Sequence, residues 1–194
     1  MASPLQLTFV QSAERHTTLP PTKAEVAFVG RSNVGKSSLI NTMANHRQLA
    51  HVSKTPGRTR LLNLFEVRGS GTLMDLPGYG YAKAPPHMRN KWQAMIEGYL
   101  LERENLVMVA MLVDGEIGPT ALDITMLDWL RANTVPHTVI ATKHDKVKSS
   151  IRDKRRRELA AKCDLEPGDV LWVSASKGTN IDRLRGFVLM WLDS

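Results

Sequence analysis

Residues 30–37 read "GRSNVGKS", a glycine separated by four residues from Gly35-Lys36-Ser37, and they continue from the apolar stretch "EVAFVG" at 25–30. These residue types at this spacing suit the binding of phosphate. The glycines let the backbone turn so that several N–H groups converge on phosphate oxygens, and a helix starting near Lys36 adds its positive N-terminal dipole. Lys36 can reach the β- and γ-phosphates of a nucleotide, and the Ser37 hydroxyl can ligate Mg²⁺. A nucleophile elbow around Ser32 does not fit, because Gly35 comes one residue too late for Gly-x-Ser-x-Gly.

Three later stretches offer complementary chemistry. "DLPG", 75–78, puts an acid and a glycine after a strand-like run. Asp75 can hold Mg²⁺ through water, and the Gly78 N–H can report a γ-phosphate. "TKHD", 142–145, ends in a carboxylate that can accept from the N1–H and exocyclic amine of guanine. Adenine lacks both donors in that arrangement, and a site built on such bonds rejects the wrong base by roughly 10⁴-fold. Lys143 would lay its alkyl stem along the purine. "SAS", 174–176, brings the Ala175 N–H to the guanine O6. Each tetrapeptide alone is a weak signal. Their order, each at the end of an apolar stretch, is a strong one.

The elements that must position these residues follow from periodicity. Strands are expected at 25–30, 60–67, 71–78, 107–115, 137–143 and 170–175, with helices between most of them. "GSG" between the second and third is a hairpin signal, so that pair should be antiparallel. The other connections imply right-handed crossovers and parallel pairing. The expectation is an α/β fold, a mostly parallel six-stranded sheet with one antiparallel strand and helices on both faces. Ligands of such sheets lie at the carboxyl ends of the strands. Met88, Trp92, Met95, Ile96 and Tyr99 form one helical stripe, and Ile181, Leu184, Phe187, Val188, Trp191 and Leu192 another, both read as core packing. Residues 1–24 read as an N-terminal extension or edge element, and 25–194 as the main domain.

Bulk properties narrow the class. The chain has 194 residues, 42% hydrophobic and 23% charged, which suits one soluble domain with a real core. Its longest apolar run, "LVMVAMLV" at 106–113, is too short for a bilayer and fits a central strand. The first residues lack a basic region followed by an apolar one, so no signal peptide is expected. A single cysteine, Cys163, excludes an internal disulfide, and the cytoplasm is expected. His and Cys spacing gives no zinc pattern. Glu102, Glu104, Asp123 and Asp128 read as helix-surface carboxylates, and His144 as solvated.

The chain resembles the EngB (YihA/YsxC) family of P-loop GTPases, within the translation-factor-related class. The stretches that carry the likeness are "FVGRSNVGKSSLIN", "KTPGRTRLLN", "DLPGYGYAK", "ATKHDK" and "VSASKG". The resemblance implies a Ras-like domain that binds GTP and GDP with Mg²⁺ and hydrolyses GTP slowly. It also implies a role in assembly of the large (50S) ribosomal subunit and in normal cell division and septation. The nucleotide site it implies begins with Gly30, Arg31, Ser32, Asn33, Val34, Gly35, Lys36, Ser37 and Ser38. A switch segment adds Gly57, Arg58, Thr59, Arg60 and Leu61, with Thr59 completing the Mg²⁺ shell. Asp75, Leu76, Pro77 and Gly78 face the phosphates. Thr142, Lys143, His144 and Asp145, with Ser174, Ala175 and Ser176, face the base. Lys36, Thr59 and Gly78 would be catalytic, and Ser37, Thr59 and Asp75 would hold the metal. Thr142 stands where many GTPases have asparagine, so Asp145 is the stronger base contact. Asn33 is associated in related GTPases with a K⁺ ion near the phosphates.

Tyr79 occupies the position after Gly78 where a catalytic glutamine can stand, and a phenol cannot easily replace it. Weak intrinsic hydrolysis follows, with Tyr79 and Tyr81 read as part of a mobile loop and Lys83 available to RNA. The net charge of +7 and pI of about 9.8 favour a polyanionic partner. "KVKSSIRDKRRRELAAK", 146–162, carries eight Lys or Arg; beside the plain reading of a solvated helix face, with Lys54, Arg58, Arg60, Lys83, Arg89 and Lys91 it suits an RNA-facing surface whose contacts are mainly to phosphate. Arg155, Arg156 and Arg157 span about 200° of a helix, too wide for one narrow stripe. No membrane contact and a monomer are expected. Two other readings stay open at this point: a P-loop ATPase or nucleotide kinase, and an RNA-binding assembly factor that uses nucleotide only as a structural ligand.

Overall fold

A computed structural model describes residues 3–50, 61–80 and 86–194, with the backbone alone at 86–89 and 92. The apolar run Glu25–Gly30 forms β2, buried at every position between two parallel neighbours. Period-2 alternation divides its side chains. Ala27 and Val29 enter one core layer and Val26 and Phe28 the other. β5 (Leu106–Asp114) divides likewise, with Val109, Met111 and Val113 on the first side and Ala110 and Leu112 on the second.

The sheet has seven strands in the order β1-β3-β4-β2-β5-β6-β7. The hairpin predicted around "GSG" is present: β3 (Leu62–Val67) pairs antiparallel with β4 (Gly71–Asp75), Val67 opposite Gly71. β6 (His137–Thr142) and the two-residue β7 (Leu171–Trp172) extend the parallel side. The seventh strand comes from the N-terminal region. β1 (Leu7–Ala13) lies antiparallel to β3 at the edge, with a register shift between Phe9 and Gln11. Thus β3 is the one strand running against the rest.

Helices cover both faces. α1 (Lys36–Met43) and α5 (Ile181–Leu192) pack Leu39, Ile40, Met43, Leu184 and Val188 on one face. α2 (Pro86–Glu102), α3 (Ala121–Ala132) and α4 (Arg152–Lys162) pack Tyr99, Leu127, Leu130 and Leu159 on the other. The stripe of α5 is as periodicity predicts. Of the α2 stripe, Ile96 and Tyr99 are buried, whereas the side chains of Met88 and Trp92 lie outside the described residues.

The amino ends of the strands are fastened by a buried carboxylate. Glu25, fully buried, accepts from the Tyr99 hydroxyl at 2.5 Å, the Thr72 hydroxyl at 2.8 Å and Arg103 Nε at 3.0 Å. Arg103 also donates to the Pro20 carbonyl at 2.8 Å. An uncompensated carboxylate at this depth costs several kcal/mol, so these donors are what make Glu25 tolerable. They bind the end of α2 and the segment before β2 to the sheet. Burial, followed by the facing Glu25 charge, pushes the Tyr99 phenol well above its ordinary pKa.

Candidate nucleotide site

The carboxyl ends of β2, β4, β5, β6 and β7 open onto one edge, and the motif residues follow them. Gly35 caps α1 with φ 103°, a left-handed conformation that glycine adopts without strain. No side chain caps this helix, so its first N–H groups stay open toward the loop. Lys36 and Asp75 are both buried and pair directly, ammonium to carboxylate. Ser37 and Ser38 follow half-buried on the first turn, and Asn33 is exposed at φ 64°. Open N–H donors, a buried ammonium, a hydroxyl and a carboxylate suit a Mg²⁺-nucleotide phosphate chain.

The DLPG segment lies against this loop. The Leu76 N–H donates to the Phe28 carbonyl at 3.1 Å, and the Ser32 N–H to the Tyr79 carbonyl at 3.0 Å. A Cβ on Gly78 would stand 3.1 Å from the Ser32 nitrogen, so any larger residue would press the two segments apart by a few tenths of an ångström. The Ser32 Oγ is buried without a partner beneath it. Tyr79 departs from the loose loop expected of it. Its ring packs against the core and its hydroxyl donates to Asp123 Oδ1 at 2.7 Å. The phenol therefore points to α3, where it cannot orient an attacking water.

On the base side, an open cleft of about 170 Å³ is lined by Gly35, Ser38, Thr142, Lys143, Asp145, Ala175 and Ser176 among others. The Ser174 hydroxyl donates to Asp145 Oδ1 at 2.5 Å. That bond, assisted by Ser176, holds the Asp145 carboxyl below its usual pKa. The Thr142 hydroxyl donates to the Val34 carbonyl at 2.6 Å and so ties the base loop to the phosphate loop. Lys143, left-handed at φ 55°, sends its ammonium to Asp114 Oδ2 at 2.6 Å. Sequence reasoning missed Asp114, although a buried acid closing a central strand in "LVD" was a readable signal.

Two readings are corrected. Asp123 is not a surface carboxylate: it is 2% exposed, and its Oδ2 accepts from the Thr120 N–H and hydroxyl at 2.8 and 2.7 Å. His144 is not fully solvated: the residue is half-buried, its ring meets Trp172 edge-on at 5.7 Å and its Nε2 is covered. Burial, then the charges of Arg152 and Arg156, holds the imidazole below its usual pKa. Glu102, Glu104 and Asp128 are on the surface as expected. Gly57, Arg58, Thr59 and Arg60 lie outside the described residues, as do Lys54, Tyr81 and Lys83, while Leu61 is half-buried just before β3.

Known proteins resemble the chain in both sequence and fold. A family model described as a 50S ribosome-binding GTPase matches residues 25–143. A protein of Pelobacter propionicus, described as a probable GTP-binding protein EngB, is 46% identical over 168 residues, covering 86% of this chain and 84% of that one. Its counterpart in Thermotoga maritima is 50% identical over 139 residues, 72% of this chain and 71% of that one. A crystal structure of a probable GTP-binding protein EngB superposes with a TM-score of 0.72 at 26% identity, covering 87% of this chain and 98% of that one. With the phosphate loop, DLPG and guanine-side loop already assembled at one sheet edge, these similarities mean that the chain belongs to the EngB family of P-loop GTPases, which bind guanine nucleotide and hydrolyse GTP to GDP and phosphate.

Proposed function

We propose that this protein is a slow GTPase switch of the cytoplasm that binds the large ribosomal subunit or its precursor and assists its assembly. Normal cell division and septation would depend on it through that role. One observation supports a ribosomal partner above the others: Lys146, Lys148, Lys154 and Arg157 are exposed beside the guanine-side loop, on and before α4. Lys154 and Lys146 have carboxylate neighbours at 3.8 and 3.6 Å, in surface pairs too weak to neutralise the face. The description of the matching family model as a 50S ribosome-binding GTPase agrees with this reading. Residues 25–194 would form the GTPase domain and 1–24 an extension whose strand completes the sheet. A monomer without membrane attachment is the working form; among the described residues no helix is long and apolar enough to cross a membrane.

In this reading Lys36 and the N–H groups of residues 30–38 neutralise charge on the transferring phosphoryl. Ser37, Thr59 and, through water, Asp75 would hold Mg²⁺, which would supply positive charge to the phosphate oxygens when bound. Lys36 must leave Asp75 to reach the phosphates, and the carboxylate is thereby freed. Gly78 senses the γ-phosphate, and Asp145 with Ala175 selects guanine. Phosphoryl transfer needs positioning and charge neutralisation more than covalent chemistry, so turnover continues without a glutamine, but slowly. Asn33 would hold K⁺ beside the phosphates. Hydrolysis should accordingly run faster in K⁺ than in Na⁺, and equal rates would remove the ion from the mechanism.

Cosedimentation with ribosomal subunits tests the partner. The protein should pellet with large subunits in a non-hydrolysable GTP analogue more than in GDP, and binding should fall steeply as salt rises. Equal pelleting in all nucleotide states, or none with large subunits, would defeat the proposal.

A further inference from the structure

Tyr79 is attached to the molecule at three points. Its N–H reaches the Gly30 carbonyl at 3.3 Å, its carbonyl accepts from Ser32, and its hydroxyl donates to Asp123. The first two contacts hold the DLPG segment beside the phosphate loop but use the main chain alone. The third fixes the side chain to a rigid element, since Asp123 also closes the capping box of α3 with Thr120. Asp123 is a buried carboxylate whose Oδ2 is served by Thr120 and whose Oδ1 receives the phenol. A phenylalanine would fill the same volume and leave Oδ1 short of a donor.

We propose that Tyr79 is a positioning residue for the γ-phosphate-sensing glycine: its bond to Asp123 latches the Asp75–Gly78 segment to the start of α3 and holds Gly78 against Ser32 before GTP arrives. The inference rests on Gly78 contacting the γ-phosphate, as read above. Without the latch, the segment has to be ordered when GTP binds, and that cost falls on the triphosphate alone. GDP, lacking the γ-phosphate, is indifferent to it. Burial, then the facing Asp123, holds the phenol protonated far beyond physiological pH, so the latch is a fixed strut. The side chain that replaces glutamine thus serves the switch from the opposite direction, by tying down the backbone.

The test measures affinities for GDP and a non-hydrolysable GTP analogue, with single-turnover hydrolysis rates, in the full chain and in Tyr79→Phe, Asp123→Asn and the double variant. A wild-type chain that binds neither nucleotide would overturn the guanine reading itself. Given binding, Tyr79→Phe should weaken the analogue about tenfold, change GDP less than about twofold and slow hydrolysis. The double variant should be no worse than the more severe single one. Leu192→Ala is the control. It removes buried packing from α5 in the other core layer and lowers the melting temperature, yet leaves the analogue-to-GDP ratio unchanged. A Tyr79→Phe ratio equal to wild type would reduce the phenol to core packing, and tighter analogue binding would mean that the latch holds Gly78 off the phosphate; either overturns the proposal. Should Tyr79→Phe fail to fold, Asp123→Asn reads the same ratio with a smaller fall, because its amide oxygen accepts from the phenol more weakly than the carboxylate does.

Discussion

Lys36→Ala is expected to weaken GDP and GTP binding by about 10³-fold or more, since each lost charge-assisted phosphate hydrogen bond contributes about 1.5–3 kcal/mol. The same substitution acts on the nucleotide-free protein. Lys36 pairs with Asp75 inside the molecule, so its loss leaves a buried carboxylate without its counter-charge. Breaking such a pair from one side costs about 3–5 kcal/mol, and a lower melting temperature should accompany the lost affinity. Lys36→Ala with Asp75→Asn separates the two effects. Neutralising the carboxylate should restore much of the stability and none of the binding. Calorimetric titration with GDP alongside thermal unfolding of both variants makes the comparison. A dissociation constant within tenfold of wild type in the folded double variant would remove Lys36 from the phosphate site.

The second large effect concerns the base. Asp145 is ionised at neutral pH, and Ser174 orients its Oδ1 at 2.5 Å. Guanine meets this carboxylate with two donors. Asp145→Asn converts one acceptor into a donor, which confronts the N1–H or the exocyclic amine. GTP affinity should fall by roughly 10³- to 10⁴-fold. Xanthine carries a carbonyl where guanine has its amine, so XTP should bind the variant better than GTP does. Displacement of labelled GTP by GTP, XTP and ATP reads both proteins. If ATP displaced GTP from the wild type at similar concentration, or if the variant kept its preference for GTP, recognition of the base would lie elsewhere.

Much of this architecture was legible in the residues. β2, the β3–β4 hairpin and the parallel strands follow from apolar runs and one turn signal, and the motif residues stand at the strand ends as expected. β1 was harder to read, because Thr8, Phe9 and Val10 are exposed on an edge and carry no two-sided pattern. Asp123 shows another limit. Thr120-x-x-Asp123 has the form of a capping box, which sequence can display. Its burial depends on a tyrosine 44 residues earlier in the chain. Local charge favours the surface, and only tertiary contact reverses that choice. His144 was misjudged for the same reason, since Trp172 reaches it from another strand. Thr142 follows a different logic. Its hydroxyl is too short-reaching to copy an asparagine amide toward the base, but it reaches the Val34 carbonyl, so the chemistry of the residue decided its use.

The edge strand β1 also decides which strand of the sheet is open to pairing with another chain. Without it, β3 would leave the N–H and C=O groups of alternate residues unpaired on that side, beside the apolar Leu62, Leu64 and Phe65, a ready template for another copy. β1 takes up that row, and its own outer side is broken at Val10 by the register shift, which bends the ladder away from a straight new partner. β1 therefore covers this sheet edge, far from the phosphate and base loops, and trimming the extension to reach a minimal GTPase would lay β3 open to strand addition.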